Sequence, residues 1–208
     1  MPACPAEGSL PDLIEEGIEL LFVGINPGLT SARLGHYYAG PGNLFWRCLH
    51  ESGLTPERLR PQEDRRLLQY RIGITDCVKR ASRTASEVRA SEFRDAAAAL
   101  IEKIERARPR LVCFNGLMGY RATIDREARL GLQPRPLGGA TVFVVPSTSA
   151  ANAGFTREER VEWFRRLREL RDVLRAAETP PETGPGPGKE AARPADILNA
   201  GWEGNGRG

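Results

Sequence analysis

The run Leu20-Leu21-Phe22-Val23, broken by Gly24-Ile25-Asn26-Pro27-Gly28, constrains the fold more than any other stretch. Four apolar residues without polar alternation predict a strand buried on both faces, as in a parallel sheet. Pro27 removes a backbone donor and disfavours helix at Asn26, while Gly28 permits a close approach or a positive φ. A carboxamide is therefore expected at the carboxyl end of a central strand, where open α/β sheets place their ligands. Thr30 or Ser31 is placed to cap a following helix. Asn-Pro-Gly is also ordinary turn chemistry, so the stretch alone does not define a site.

Strand and helix patterns alternate along the rest of the chain. Ile72-Gly73-Ile74-Thr75-Asp76 predicts a short strand ending in a carboxylate, Arg110 to Phe114 a buried strand, and Thr141 to Val145 the last strong one. Helices are expected from Leu44 to about Gly53, over Pro61–Tyr70 with Leu67 and Leu68 inward, after a Ser91 cap, and through Tyr120 and Ile124. A final helix begins near Thr156 with Glu159 placed for a capping box. Its stripe of Val161, Phe164, Leu167, Leu170 and Leu174 reads as core. The pattern predicts an α/β fold, a three-layer α/β/α sandwich on a mostly parallel sheet. Residues 1–18 read as a loose lead-in, 19–177 as the folded domain and 178–208 as a Pro/Gly-rich disordered tail in which Ile197, Leu198 and Trp202 could make a weak contact.

Composition narrows the class. A chain of 208 residues with 27% charged residues can bury one sizeable core. Of the 30 cationic residues only Lys79, Lys103 and Lys189 are lysines; the rest are arginine, which suits bidentate phosphate contacts. A GC-rich genome would favour the same bias, and the formal charge is only +3. Cys4, Cys48, Cys77 and Cys113 form no Cys-x-x-Cys pair, which argues against a zinc site, and Cys48 and Cys113 read as reduced core thiols. No cofactor or metal is expected. No stretch is long enough to cross a membrane and no signal pattern opens the chain, so a cytoplasmic location is expected.

Several motifs then fall in order. Gly24-Ile25-Asn26-Pro27-Gly28 is followed by the loop Gly35-His36-Tyr37-Tyr38-Ala39-Gly40-Pro41-Gly42-Asn43 and its Phe45-Trp46 helix. Phe114-Asn115-Gly116 and Val145-Pro146-Ser147-Thr148-Ser149-Ala150 complete the set. From Leu20 to about Leu174 the chain resembles the mismatch-specific uracil/thymine DNA glycosylases of the uracil-DNA glycosylase superfamily. The His36-Tyr37-Tyr38 loop brings it closer to the thymine-DNA glycosylase branch.

The resemblance implies a metal-independent, monofunctional hydrolase that flips a base from DNA and cleaves its N-glycosidic bond, opening base excision repair. It implies that Asn26 positions the attacking water and that Ser82 lies near it. Backbone N–H groups near Ile25 would stabilise the departing base, Tyr38 would stack on it, and Asn43 and Asn115 would contact its edge. Asn43 is equally placed to cap the helix at Leu44, and Asn115 to make the turn before Gly116. The segment Ser147, Thr148, Ser149, Ala150, Ala151 and Asn152 would meet the DNA. His36 and His50 read as surface or packed residues. The implied partner is double-stranded DNA with mispaired uracil or thymine, with single-stranded DNA a further candidate, bound by a monomer in a bacterial nucleoid. A non-catalytic DNA-binding module with the same fold is the alternative.

Two positions depart from the family pattern. Asp76 stands where relatives carry an amide or lysine; a carboxylate there could act as general base or stabilise a cationic sugar, or could simply pair with Lys79 or Arg80. Ala150-Ala151-Asn152-Ala153 stands where relatives place an arginine or leucine to fill the gap in the duplex, so penetration of the duplex is expected to be weaker.

Overall fold

The computed structural model describes residues 9–177; Cys4 and the tail from residue 178 lie outside the described residues. Five strands form one sheet: β1 (Leu20–Gly24), β2 (Ile72–Asp76), β3 (Leu111–Asn115), β4 (Gly131–Leu132) and β5 (Thr141–Val145), in the order β2-β1-β3-β5-β4. All neighbours are parallel except β4, a two-residue strand antiparallel to β5 that the sequence pattern is too short to reveal.

The helices are α1 (Leu29–Leu34), α2 (Phe45–Glu51), α3 (Ala90–Ala107), α4 (Leu117–Thr123) and α5 (Arg157–Ala176). Successive strand side chains point to opposite faces, which sorts each apolar run into two cores. Leu20, Phe22, Ile72, Ile74, Cys113 and Phe143 pack on the side of α2 and α5, with Phe45, Trp46, Phe164 and Leu167. Leu21, Val23, Val112, Phe114, Val142 and Val144 pack on the side of α3 and α4, with Leu100, Ile104 and Tyr120. This is the three-layer α/β/α arrangement around a mostly parallel sheet. Phe22 is fully buried against Phe45 and Phe164, with ring centroids 5.0 and 5.7 Å away, so truncation to alanine would cost about 3–5 kcal/mol.

Several local expectations change. Leu10, Leu13 and Ile18 are buried, and Leu13 exchanges two backbone hydrogen bonds of 2.9 Å with Ile74. Residues 10–18 are therefore not a loose lead-in: their three apolar side chains enter the cores and cover the outer edge of β2. Pro61–Tyr70 is a 3-10 helix that buries Leu67 fully and Leu68 partly. Ser91 does not cap α3; Arg89 holds that position, and its N–H donates to Glu92 at 3.0 Å. Gly28 occupies the capping position of α1, and the Ser31 hydroxyl instead accepts from Ala39 N at 3.0 Å. The capping box at α5 is present, Glu159 N donating to Thr156 Oγ1 at 3.1 Å and Thr156 N to Glu159 at 2.7 Å. Among the described residues, no helix is long and apolar enough to cross a membrane.

Candidate active site

Asn26 sits two residues beyond β1, on the carboxyl side of the sheet. Its Nδ2 donates to the Arg80 carbonyl at 2.9 Å and to Ser82 Oγ at 2.8 Å. A carbonyl can only accept, so this bond fixes which end of the carboxamide is nitrogen. Ser82 Oγ spends its own proton on the Thr84 carbonyl at 2.6 Å and so can only accept from Asn26. The bridge between Gly28 and Ser82 aligns the loops after β1 and β2. Asn26 Oδ1 takes no bond from the described residues and is the free acceptor of the group. Ser82, 3% exposed, is thus an anchor for Asn26 with its hydroxyl proton committed elsewhere.

Asp76 ends β2 directly opposite Gly24 in the parallel register. A Cβ on Gly24 would collide with Asp76 Oδ1 and come within 3.2 Å of the Tyr38 hydroxyl, so only glycine fits there. Asp76 is 3% exposed, and its Oδ2 has no hydrogen-bond partner; nor has the buried Tyr38 hydroxyl. Buried polar atoms without partners are costly in a folded core and mark Asp76 and Tyr38 as candidates for a functional role. Burial pushes the Asp76 carboxyl up to about 7; Lys79 and Lys103 pull it down, and Asp12 adds to the rise. Surface pairing of Asp76 with Lys79 or Arg80 is not what the structure shows. Lys79 pairs with Asp12, and Arg80 pairs with Glu92 at 2.7 Å.

Tyr38 has φ 52°, a left-handed conformation uncommon for a side chain of this size. Its ring stacks on Phe45 with centroids 3.9 Å apart, tying it through α2 to Phe22 and Phe164. Burial, then the charge of Asp76, raises the proton affinity of its hydroxyl, so it stays a neutral phenol. Neighbouring Tyr37 is buried; its N–H donates to Asp64 Oδ2 at 3.2 Å, and the same carboxylate pairs with His36.

Asp12 was not singled out by its sequence context. It pairs with Lys79, with Lys103 at 2.9 Å, and accepts from Thr75 Oγ1 at 2.5 Å. Lys79 also reaches the Tyr37 hydroxyl at 3.4 Å. The only two lysines among the described residues thus meet on one carboxylate next to Asp76. Their scarcity in an arginine-rich chain was the available signal.

A second set of bonds gathers the remaining loops. Asn115 receives Thr148 N on Oδ1 at 3.0 Å and donates Nδ2 to Thr148 Oγ1 at 2.8 Å, so in this structure its amide clamps a loop. Thr148 is fully buried and cannot itself lie on a DNA surface, unlike the expectation for it. Its carbonyl accepts from Leu44 N at 3.0 Å, and Asn43 Oδ1 accepts from Phe45 N at 3.0 Å, the capping role. Ser147 and Ser149 turn their hydroxyls onto the backbone of Ser149 and Ala151, at 3.3 Å each. Ala150 and Ala151 are exposed, and Asn152 is half-buried with Nδ2 on the Ser147 carbonyl at 3.1 Å. Ile25 lies half-buried against Gly119, and its carbonyl accepts from Val78 N. Among the described residues there is no cluster of three or more His, Cys, Asp or Glu side chains able to hold a metal.

The strand ends thus bring Asn26, Asp76, Tyr38 and Asn115 to one side of the sheet, with the 147–152 loop beside them. The solution structure of a candidate uracil DNA glycosylase from Methanosarcina acetivorans shares this fold, with a TM-score of 0.55 and 27% sequence identity over 78% of this chain and 98% of that one. The family model of the uracil DNA glycosylase superfamily matches residues 11–170, a span that begins inside the docked N-terminal segment and ends in α5. With most of its length matched, the chain belongs to the uracil DNA glycosylase superfamily, a group of DNA glycosylases.

Proposed function

We propose that the protein is a monofunctional DNA glycosylase that excises uracil from mispaired duplex DNA, accepting thymine or other damaged bases to a lesser degree. The observation that carries this reading is the anchored Asn26 amide, whose Nδ2 is held by Arg80 and Ser82 while Oδ1 is left free. An acceptor held rigidly can orient a water for attack on the sugar carbon, which replaces the entropy cost of finding that geometry. A carboxamide cannot take the proton in full. Asp76, ionised above about pH 7, supplies a charge that receives it or stabilises the oxocarbenium-like sugar.

The base has to leave the stack before this chemistry can proceed. Phe45 covers one face of Tyr38, and the opposite face is the one on which the extruded base would stack. Asn43, its Oδ1 occupied by α2, offers Nδ2 to the base edge, and the backbone at Ile25 stabilises the leaving anion. The exposed Ala150 and Ala151 offer little bulk to fill the vacated space, which favours mispaired sites that are already easy to open.

The test is a single-turnover assay on labelled duplexes with G:U, A:U and G:T pairs and on the single strand, with alkali revealing abasic sites. Excision fastest at G:U, and lost in Asn26→Ala, is the expected result. Tight binding without abasic product on any substrate would make the protein a non-catalytic DNA-binding module instead.

A further inference from the structure

Arg160 lies in the first turns of α5 and is only 5% exposed. Its guanidinium donates Nε to the Ser147 carbonyl at 2.9 Å, Nη1 to Phe155 O at 2.5 Å and Thr156 O at 3.4 Å, and Nη2 to Asn152 O. These partners are backbone carbonyls, all from the loop between β5 and α5. Burying a cation on neutral carbonyls near the positive end of a helix is expensive, and an apolar side chain would fill the space at lower cost.

What the arrangement achieves is visible in the peptide planes. A trans peptide places its C=O and the next N–H on opposite sides. Drawing four carbonyls inward therefore turns the four N–H groups that follow them away from Arg160. Thr148 N is taken by Asn115, and Thr156 N by Glu159. Arg157 N opens α5, and the N–H of exposed Ala153, within the loop itself, has no partner among the described residues.

We infer that Arg160 is a positioning residue for DNA: from beneath the loop it holds the Ala153 N–H outward as a donor to a phosphodiester oxygen of the substrate strand. This rests on the glycosylase reading above. The loop lacks a cationic or bulky side chain at Ala150-Ala151-Asn152-Ala153, so a fixed backbone donor is what it has to offer a phosphate. A lysine ammonium carries its donors on one atom and cannot reach the four carbonyls that the planar guanidinium spans with Nε, Nη1 and Nη2. Positioning and mere charge thus predict different behaviour for lysine.

The experiment compares the full-length parent with Arg160→Lys and Arg160→Met, the lysine variant guarding against a methionine variant that fails to fold. Three quantities are read: the G:U duplex concentration giving half-maximal single-turnover rate, the plateau rate at saturating DNA, and hydrogen exchange of the 147–156 amides without DNA. Expected in both variants are a rise of about tenfold or more in the half-maximal concentration, a plateau within about threefold of the parent, and faster exchange in the loop. Parent-like affinity in Arg160→Lys would overturn the positioning role in favour of charge alone. A lower plateau with unchanged half-maximal concentration, or a lower melting temperature alone, would reduce Arg160 to a structural latch. If the parent neither binds nor cleaves any duplex, the glycosylase reading itself fails, an outcome separate from any effect of the variants.

Discussion

The Asn26 amide donates to the Ser82 hydroxyl at 2.8 Å, and this bond between residues 56 apart joins the loop after β1 to the loop after β2. Its partner bond to the Arg80 carbonyl is a backbone contact that no side-chain substitution at 80 removes. The two losses therefore separate by size.

Asn26→Ala should lower the single-turnover rate on G:U duplex by at least about 10²-fold while leaving duplex affinity near that of the parent. Ser82→Ala removes one of the anchors and leaves the carbonyl, so it should cost about fivefold, in line with a hydrogen bond worth roughly 1 kcal/mol. Rapid-quench kinetics on both variants checks the order; an equal loss would mean that Ser82 acts on substrate directly.

Asp76→Asn keeps the shape of the side chain and removes its charge. If the carboxylate takes part in the chemistry, the rate should fall by about 10²–10⁴-fold at pH 8. The parent rate should climb as pH passes about 7, and that limb should vanish in the variant. A pH series of plateau rates reads both. The loss should also be larger for poorer leaving bases than for uracil, because those need the second group more.

The same residue sets a stability profile of unusual sign. Its folded carboxyl titrates near 7 against 3.8 for the free group, so between these values the folded chain keeps a proton that the unfolded chain releases. Stability contributed by Asp76 is then fully present below about pH 4 and is lost as pH rises towards 7. Three units amount to about 4 kcal/mol as an order of magnitude. The melting temperature of Asp76→Asn relative to the parent should rise steadily from pH 4 to 7 and level off above it, as calorimetry would show.

Gly24→Ala should destabilise strongly, by about 2–5 kcal/mol, because the new methyl meets the Asp76 carboxyl. Combining it with Asp76→Ala should recover much of that loss. Denaturant midpoints for the two singles and the double provide the cycle.

The architecture was legible because the four parallel strands carry their burial in composition. Leu20–Val23, Leu111–Phe114 and Val142–Val145 read as core strands without help from their neighbours. Asn26 was legible from its place after a glycine-broken strand. Asp12 and Arg160 were not: each acts through contacts with residues far along the chain or through backbone carbonyls, which leave no pattern in spacing. The burial of Thr148 is illegible for a related reason. A Ser/Thr-rich turn looks solvent-facing in sequence, yet Asn115 and Leu44 pull that one residue inside. The lead-in docks because three apolar residues among prolines and glutamates suffice when a bare strand edge awaits them.

That docking bears on how the molecule behaves in company. β2 is an outer strand of the sheet, and Leu13 is the residue that occupies its otherwise open side. An uncovered row of amides and carbonyls is a template on which a second chain can pair, so the short segment around Leu13 acts as a guard against stacking of one copy on another. At the far side β4 is antiparallel and only two residues long, too short to template anything. Proteolytic nicking near residue 10 would therefore lower solubility, besides loosening Asp12 from Lys79, Lys103 and Thr75 at the end of β2.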